Sequence, residues 1–249
     1  MEGAQLVGRV AAVLRAVSAA MPAGAATAAV ADATGLARPT AHRILTSLAA
    51  DGFADRGDGR WYLGPELYLM GAVAAERYDI TDLARDSLQA LAGATGESAF
   101  LSARRGDESV CLLREEGSFP IRSFVLYEGI RFPLGVASAG LAMLAFQPEE
   151  QIERYLATAD LTRWGSAHSP DAVRRRIAET RARGYAVNPG LIVEGSWGMG
   201  AAVFDRSGQP AWALSLTGVE SRFAADRRPE LGRLLMDEAH RITRRIAVR

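Results

Sequence analysis

The chain has 249 residues, 49% of them hydrophobic, and no net charge. That length allows one or two domains with full hydrophobic cores, and the apolar share excludes a disordered chain. No long apolar run is free of charges or turn breakers, the start Met1-Glu2-Gly3 lacks a basic and apolar leader, and Cys111 is the sole cysteine, so a cytoplasmic chain without membrane span or internal disulfide is expected.

Taken in order, Leu6 to Ala20 places Val7, Val10, Ala11, Leu14 and Val17 at helical spacing, and Met21-Pro22-Ala23-Gly24 breaks that helix. Thr27 to Thr34 reads as a short Ala-rich helix with Thr27 as N-cap and Gly35 as its stop. The next helix, from Pro39 to Asp51-Gly52, carries the most information. Ala41, Ile44, Leu45 and Leu48 form one apolar stripe at i, i+3, i+4, i+7. Pro39, Arg43 and Thr46 point away from it, flanked by Thr40, His42 and Ser47, so the outward face bears a guanidinium, an imidazole and hydroxyls but no carboxylate. Arg pairs bidentately with guanine edges, and Thr or Ser contacts bases or phosphates. Two short helices with Gly between them are the helix-turn-helix pattern.

Residues 53–56 and 60–63 flank Gly57-Asp58-Gly59 as a hairpin with Arg56 and Arg60 at its ends, which is the pattern of a wing. The reading is therefore a DNA-binding domain over residues 1–64. Thr40, His42, Arg43 and Thr46 contact the major groove, Pro39 stands beside them on the DNA-binding face, and Arg38, Arg56 and Arg60 meet phosphate or the minor groove. Charge balance opposes this, since the arginines of residues 1–70 are matched by an equal number of acids. Local placement answers it if Asp51, Asp55 and Asp58 face away.

Residues 65–77 form a linker helix with Leu67, Met70, Gly71 and Ala74 on one side, suited to packing on a second subunit, and the boundary falls near Tyr78. Residues 78–249 alternate helices and strands, an α+β sheet domain. Strands are expected at 99–103, 109–114, 121–125, 185–187, 197–204 and 211–217, and helices at 80–94, 138–146, 148–156, 169–183 and 225–247.

Enzyme signals are missing. His42, His168 and His240 fall in different elements without metal-ligand spacing, and His168 reads as a surface loop residue. Neither Ser138 nor Ser196 lies in Gly-x-Ser-x-Gly, Gly198-Met199-Gly200 lacks the third glycine of a dinucleotide loop, and Glu115-Glu116 point to opposite faces of a strand. No cofactor or metal is expected.

Together the chain resembles the IclR family of bacterial transcription regulators. Gly35-Leu36, Thr40-Ala41-His42-Arg43, Leu45, Leu48, Gly52 and Tyr62-Leu63-Gly64 follow its winged-helix pattern. Pro133-Leu134 and Ala137-Ser138-Ala139-Gly140 resemble the start of its effector-domain helix. Gly184-Tyr185 through Gly195, Met199-Gly200-Ala201 and Val203-Phe204-Asp205 lie in the register of its C-terminal signature.

The resemblance implies an N-terminal winged helix-turn-helix, a linker helix and a C-terminal GAF-like effector-binding sheet domain. It also implies a homodimer or homotetramer on a palindromic double-stranded operator, responding to a small-molecule effector. The positions matching those that bind small organic acids in the family are Ser138, Ala139, Asn188, Gly198, Ser215 and Thr217, with Ile121, Phe124 and Phe132 as apolar neighbours. The chain departs where the family often has an acid or Ser (Asn188), Cys (Gly198), Pro (Ala202), Glu (Leu191) and a polar residue (Trp197). These departures imply a roomier, more aromatic pocket for a larger organic or aromatic acid; the alternative is that Trp197 and Phe132 only fill core. The function expected is a ligand-responsive regulator of a catabolic pathway, the alternative being a metabolite sensor or enzyme whose first domain does not bind DNA.

Overall fold

In the computed structural model, backbone is described for residues 2–75 and 80–248, and side chains for 5–73 and 80–248. The chain divides into two compact units, Met1–Asp79 and Ile80–Arg249. The expected end of the linker helix at Arg77 and the boundary near Tyr78 lie outside the described residues.

The first unit holds α1 (Glu2–Ala19), α2 (Thr27–Thr34), α3 (Arg38–Ala50), the hairpin β1 (Ala54–Gly57) and β2 (Arg60–Leu63), and α4 (Pro65–Ala75). Ala41, Ile44, Leu45 and Leu48 are all buried and pack with Val13, Val17, Val30 and Trp61. Each large aliphatic side chain in such a core contributes about 1.5–3 kcal/mol through removal from water. In α1 the buried valines are Val13 and Val17, whereas Val7 is exposed, one turn beyond the reach of the core.

Thr27 is not an N-cap. Ala26 holds that position, and the Thr27 hydroxyl accepts a 2.9 Å hydrogen bond from Trp61 Nε1. Helix α3 begins at Arg38, so Pro39 is its second residue, still in the first turn where a missing N–H costs nothing. Gly52 at φ +75° ends it, and Phe53 N–H closes back onto Leu48 O at 2.8 Å. The hairpin turns on Asp58 and Gly59, both at positive φ, the two-residue geometry that matches strand twist.

The second unit contains α5 (Ile80–Thr95), β3 (Ser98–Arg105), β4 (Glu108–Glu115), β5 (Arg131–Pro133), α6 (Ser138–Ala145), α7 (Glu149–Thr158), α8 (Pro170–Arg183), β6 (Ala186–Pro189), β7 (Ser196–Phe204), β8 (Pro210–Val219) and α9 (Arg228–Val248). The strands form one antiparallel sheet in the order β5-β4-β3-β8-β7-β6. Alternation along the strands sends Phe100 and Ala213 to a core shared with α6, α7 and α8, and Leu101, Met199, Leu214 and Leu216 to one shared with α5 and α9.

Residues 121–125 are not a strand. The chain leaves β4 as a long loop and returns through β5, where Glu108, Ser109 and Val110 pair with Pro133, Phe132 and Arg131. Cys111 then bonds Ile130 and Gly129. The β4 edge is therefore occupied, and Ile121 and Phe124 stand exposed instead.

Candidate functional site

Two surfaces collect the chemistry. On the first unit, Arg38, Pro39, His42, Arg43 and Thr46 are exposed and Thr40 is half-exposed along α3. Among the described residues, Arg38 and Arg43 have no ionic or hydrogen-bonding partner. The Thr46 hydroxyl donates back to His42 O at 2.9 Å, which leaves its lone pairs free. Trp61 ties helix and wing together. Its ring meets the His42 ring edge-on at 6.0 Å and lies under the Arg56 guanidinium at 5.2 Å.

Arg60 is less free than its sequence position suggests, since Nη1 donates to Gly24 O at 3.0 Å and ties the wing to the α1–α2 turn. Other N–H groups of its guanidinium remain available. Of the three acids expected to face away, Asp55 faces away from Arg56 but shares its face of the hairpin with Arg60, since Asp55 pairs with Tyr62 and Gly57 with Arg60 while Arg56 pairs with Trp61. Asp58 sits at the wing tip. Asp51 does not face away, because it lines the same groove as Thr40, Arg43 and Ser47.

On the second unit, a cavity of about 20 Å³ lies at the N-terminus of α6, lined by Ala137, Ser138, Asn188, Gly198 and Thr217 and covered by Val125, Leu126 and Ile192. The first α6 N–H with a helical partner is that of Leu141, bonded to Ala137 O, so the N–H groups of Ser138, Ala139 and Gly140 open this end of the helix. Such an end favours an anion. Asn188 is buried and fixed at both ends, donating to Val136 O at 2.8 Å and accepting from Leu191 N–H at 2.9 Å. The Ser215 and Thr217 hydroxyls are buried without a partner among the described residues. Gly198 and Gly200 let β7 run close beneath α6: a Cβ on Gly198 would stand 3.1 Å from Ser138 Oγ, and one on Gly200 2.9 Å from Ser138 O.

The remaining expected effector residues separate. Ala139 lies in the open turn of α6, and Ser215 lies on the same sheet face as Thr217. Phe132 is buried against Trp164 at a centroid distance of 5.4 Å, in core rather than pocket. Trp197 lines the cavity beside Gly198, while its ring also packs below Arg228 at 5.3 Å. Ile121 is exposed away from the cavity, and Phe124 lines a groove beside it. The inner cavity is small, about 20 Å³, and open to its surroundings; Val125, Leu126 and Ile192 cover it, with Trp197 as its aromatic member. Val125, Leu126, Ile192 and Ser196 are lining residues that sequence spacing did not expose.

His168 is also corrected. It is fully buried, with Nδ1 on Trp164 O at 2.8 Å, and burial holds its imidazole below the usual histidine range. The Cys111 thiol is buried, and desolvation together with Glu128 pushes its pKa up to about 12. Iodoacetamide should therefore leave the native protein unlabelled at pH 8 and modify it only after unfolding, as read by mass spectrometry. Among the described residues, no three His, Cys, Asp or Glu side chains converge as a metal site, and no helix is long and apolar enough to cross a membrane.

Comparison with known proteins assigns both units to one family. Residues 6–58 match the IclR helix-turn-helix domain, and residues 72–244 match the bacterial transcriptional regulator IclR C-terminal domain. The chain is 30% identical over 216 residues to the HTH-type transcriptional regulator KipR of Bacillus subtilis, covering 86% of each chain. It superposes on the Thermotoga maritima IclR crystal structure with a TM-score of 0.74 at 26% identity, covering 98% of this chain and 99% of that one. An IclR homologue from Microbacterium hydrocarbonoxydans complexed with 4-hydroxybenzoate has the same fold, with a TM-score of 0.79 at 23% identity over 98% and 99% of the two chains. The chain belongs to the IclR family: it is a transcriptional regulator with a helix-turn-helix DNA-binding domain and a C-terminal effector-binding domain, not an enzyme.

Proposed function

We propose that the chain reads a palindromic operator through α3 and answers to a small carboxylic acid held at the N-terminus of α6. The observation that carries the DNA reading is the outward face of α3, where exposed Arg38, His42, Arg43 and Thr46 occur on a helix without a single acidic residue. In this reading Arg43 and Thr40 meet base edges, and Arg56 and Arg60 meet phosphate. The carboxylate would face the open N–H groups of Ser138 and Ala139, with the unpartnered Ser215 and Thr217 hydroxyls nearby. An aromatic acid is one candidate, as the 4-hydroxybenzoate complex of the M. hydrocarbonoxydans homologue illustrates.

A second copy completes the reading head. Two recognition helices reach successive major grooves on one face of B-DNA only about 34 Å apart. Helix α4 exposes Tyr68, Leu69, Met70 and Val73, an apolar surface suited to a second subunit. Effector binding would shift the spacing of the two helices through α4, and coupling of about 1–3 kcal/mol suffices for a switch. Placement beside a catabolic pathway in the cytoplasm follows the same reading.

The test is a titration of DNA upstream of the chain's own gene at several salt concentrations. Affinity should fall as salt rises, with a log–log slope of about −0.9 per phosphate contacted. Arg43→Ala should cost about 1–3 kcal/mol and relax base preference, whereas Arg60→Ala should weaken all sequences alike. Unchanged operator binding by Arg43→Ala would remove α3 from the interface.

A further inference from the structure

The cavity at α6 has a neighbour. Immediately outside it lies a groove of about 590 Å³ lined by Phe124, Val193 and Val219, with Arg122 and Glu194 on its rim. Cavity and groove share Val125 and Ser196. At the shared Ser196, the Ser123 and Ser196 hydroxyls hydrogen-bond at 2.5 Å. Phe124 is 75% exposed and Val193 52% exposed, so the groove presents apolar surface that no part of the described chain covers.

The volumes decide what fits. The inner cavity holds about 20 Å³, far short of the roughly 150 Å³ of a cavity known to take up benzene. The groove falls within the range of about 300–1,000 Å³ typical of ligand sites. Any atoms of an acid beyond its carboxylate head therefore need space beyond the inner cavity, and the adjoining space is the groove.

We propose a bipartite ligand site, resting on the carboxylate reading of the α6 pocket. The carboxylate head occupies the inner cavity, and an apolar tail passes between Ser123 and Ser196 into the groove of Phe124, Val193 and Val219. The ligand class is a monocarboxylate with an aliphatic or aryl tail. A second carboxylate is disfavoured, because the rim cation Arg122 is already paired with Glu116 while Glu194 adds negative charge at the groove.

The experiment is calorimetric titration of the full-length chain with propanoate, hexanoate, octanoate and 4-phenylbutanoate. Affinity should rise by about two- to fourfold per added methylene, the upper figure being that of full burial. The double variant Phe124→Ser, Val193→Ser should flatten that slope by half or more. In the double variant Ser123→Cys, Ser196→Cys the γ atoms are close enough for a bond of about 2.05 Å, and Cys111 is the only native thiol. Oxidation should weaken octanoate binding at least tenfold, and reduction should restore it. If propanoate and octanoate bind alike and the groove variant changes nothing, the inner pocket stands and the bipartite site is overturned. If no acid of any length binds, the carboxylate reading fails and takes the bipartite site with it.

Discussion

Trp61→Ala should destabilise the N-terminal unit by about 3–5 kcal/mol, the cost of truncating a fully buried large aromatic side chain. The residue is 2% exposed and joins α2, α3 and the wing. Its backbone exchanges two 2.9 Å hydrogen bonds with Ala25, its indole N–H reaches Thr27, and its ring touches His42 and Arg56. Small domains have about 5–15 kcal/mol in total, so the variant should unfold appreciably at 37 °C. Denaturant titration followed by far-ultraviolet circular dichroism should show the first-unit transition shifting to lower denaturant. The transition of residues 80–249 should stay in place. Operator binding should be lost while effector binding survives. Trp61→Phe separates packing from polarity: it keeps most of the buried area but strands the Thr27 hydroxyl, at a cost of about 1 kcal/mol. A Trp61→Ala protein with unchanged unfolding would mean that α3 and the wing are held by something other than this ring.

The same residues show which features were legible in the sequence. The α3 stripe was, because helical periodicity needs no knowledge of partners: four apolar positions at the right spacing all reached the core. The wing was legible for a related reason, since Asp58-Gly59 encodes its own turn. Features that depend on distant partners were not. Residues 121–125 have strand-like side chains, yet the β4 edge is taken by β5 and by the chain around Ile130. Trp197 and Gly198 both line the cavity, yet the Trp197 ring also packs under Arg228, a partner some thirty residues on that no local pattern announces. His168 reads as loop because Ser169-Pro170 follows it. A pair of 3-10 turns instead folds it under Trp164, which local spacing does not encode. The volume of the cavity is set by Val125, Leu126 and Ile192 from loops, where no period exists to read.

Glu97→Ala is expected to cost the second unit about 3 kcal/mol, and its effect should extend to the ligand. The Glu97 side chain is 1% exposed and accepts from Arg222 Nε at 2.7 Å and Arg227 Nη1 at 2.9 Å. Removing one partner of a buried ion pair typically costs about 3–5 kcal/mol, because the remaining charge is left uncompensated. The lower end applies here, since Arg222 and Arg227 keep partial access to water and both also donate to Thr95 O. High salt should recover little of the loss, because a buried pair is weakly screened. The connection to the pocket runs through the loop that covers it. Arg222 lies 4.5 Å above the Phe119 ring, Phe119 N–H bonds Gly96 O at 3.0 Å, and Gly117 packs too closely against Gly96 and Glu97 to carry a side chain. Glu97 thus fixes the root of the segment that supplies Ser123, Val125 and Leu126. In Glu97→Ala that root loosens, and bound acid should dissociate several-fold faster even at temperatures where the unit stays folded. Glu97→Gln retains the size and one carbonyl acceptor, so it should fall between the two in both stability and off-rate. If Glu97→Ala lowered stability by 3 kcal/mol but left the off-rate of a bound acid unchanged, the covering loop would be held independently of this ion pair, and its anchor would have to be sought at Cys111, Gly129 and Ile130 instead.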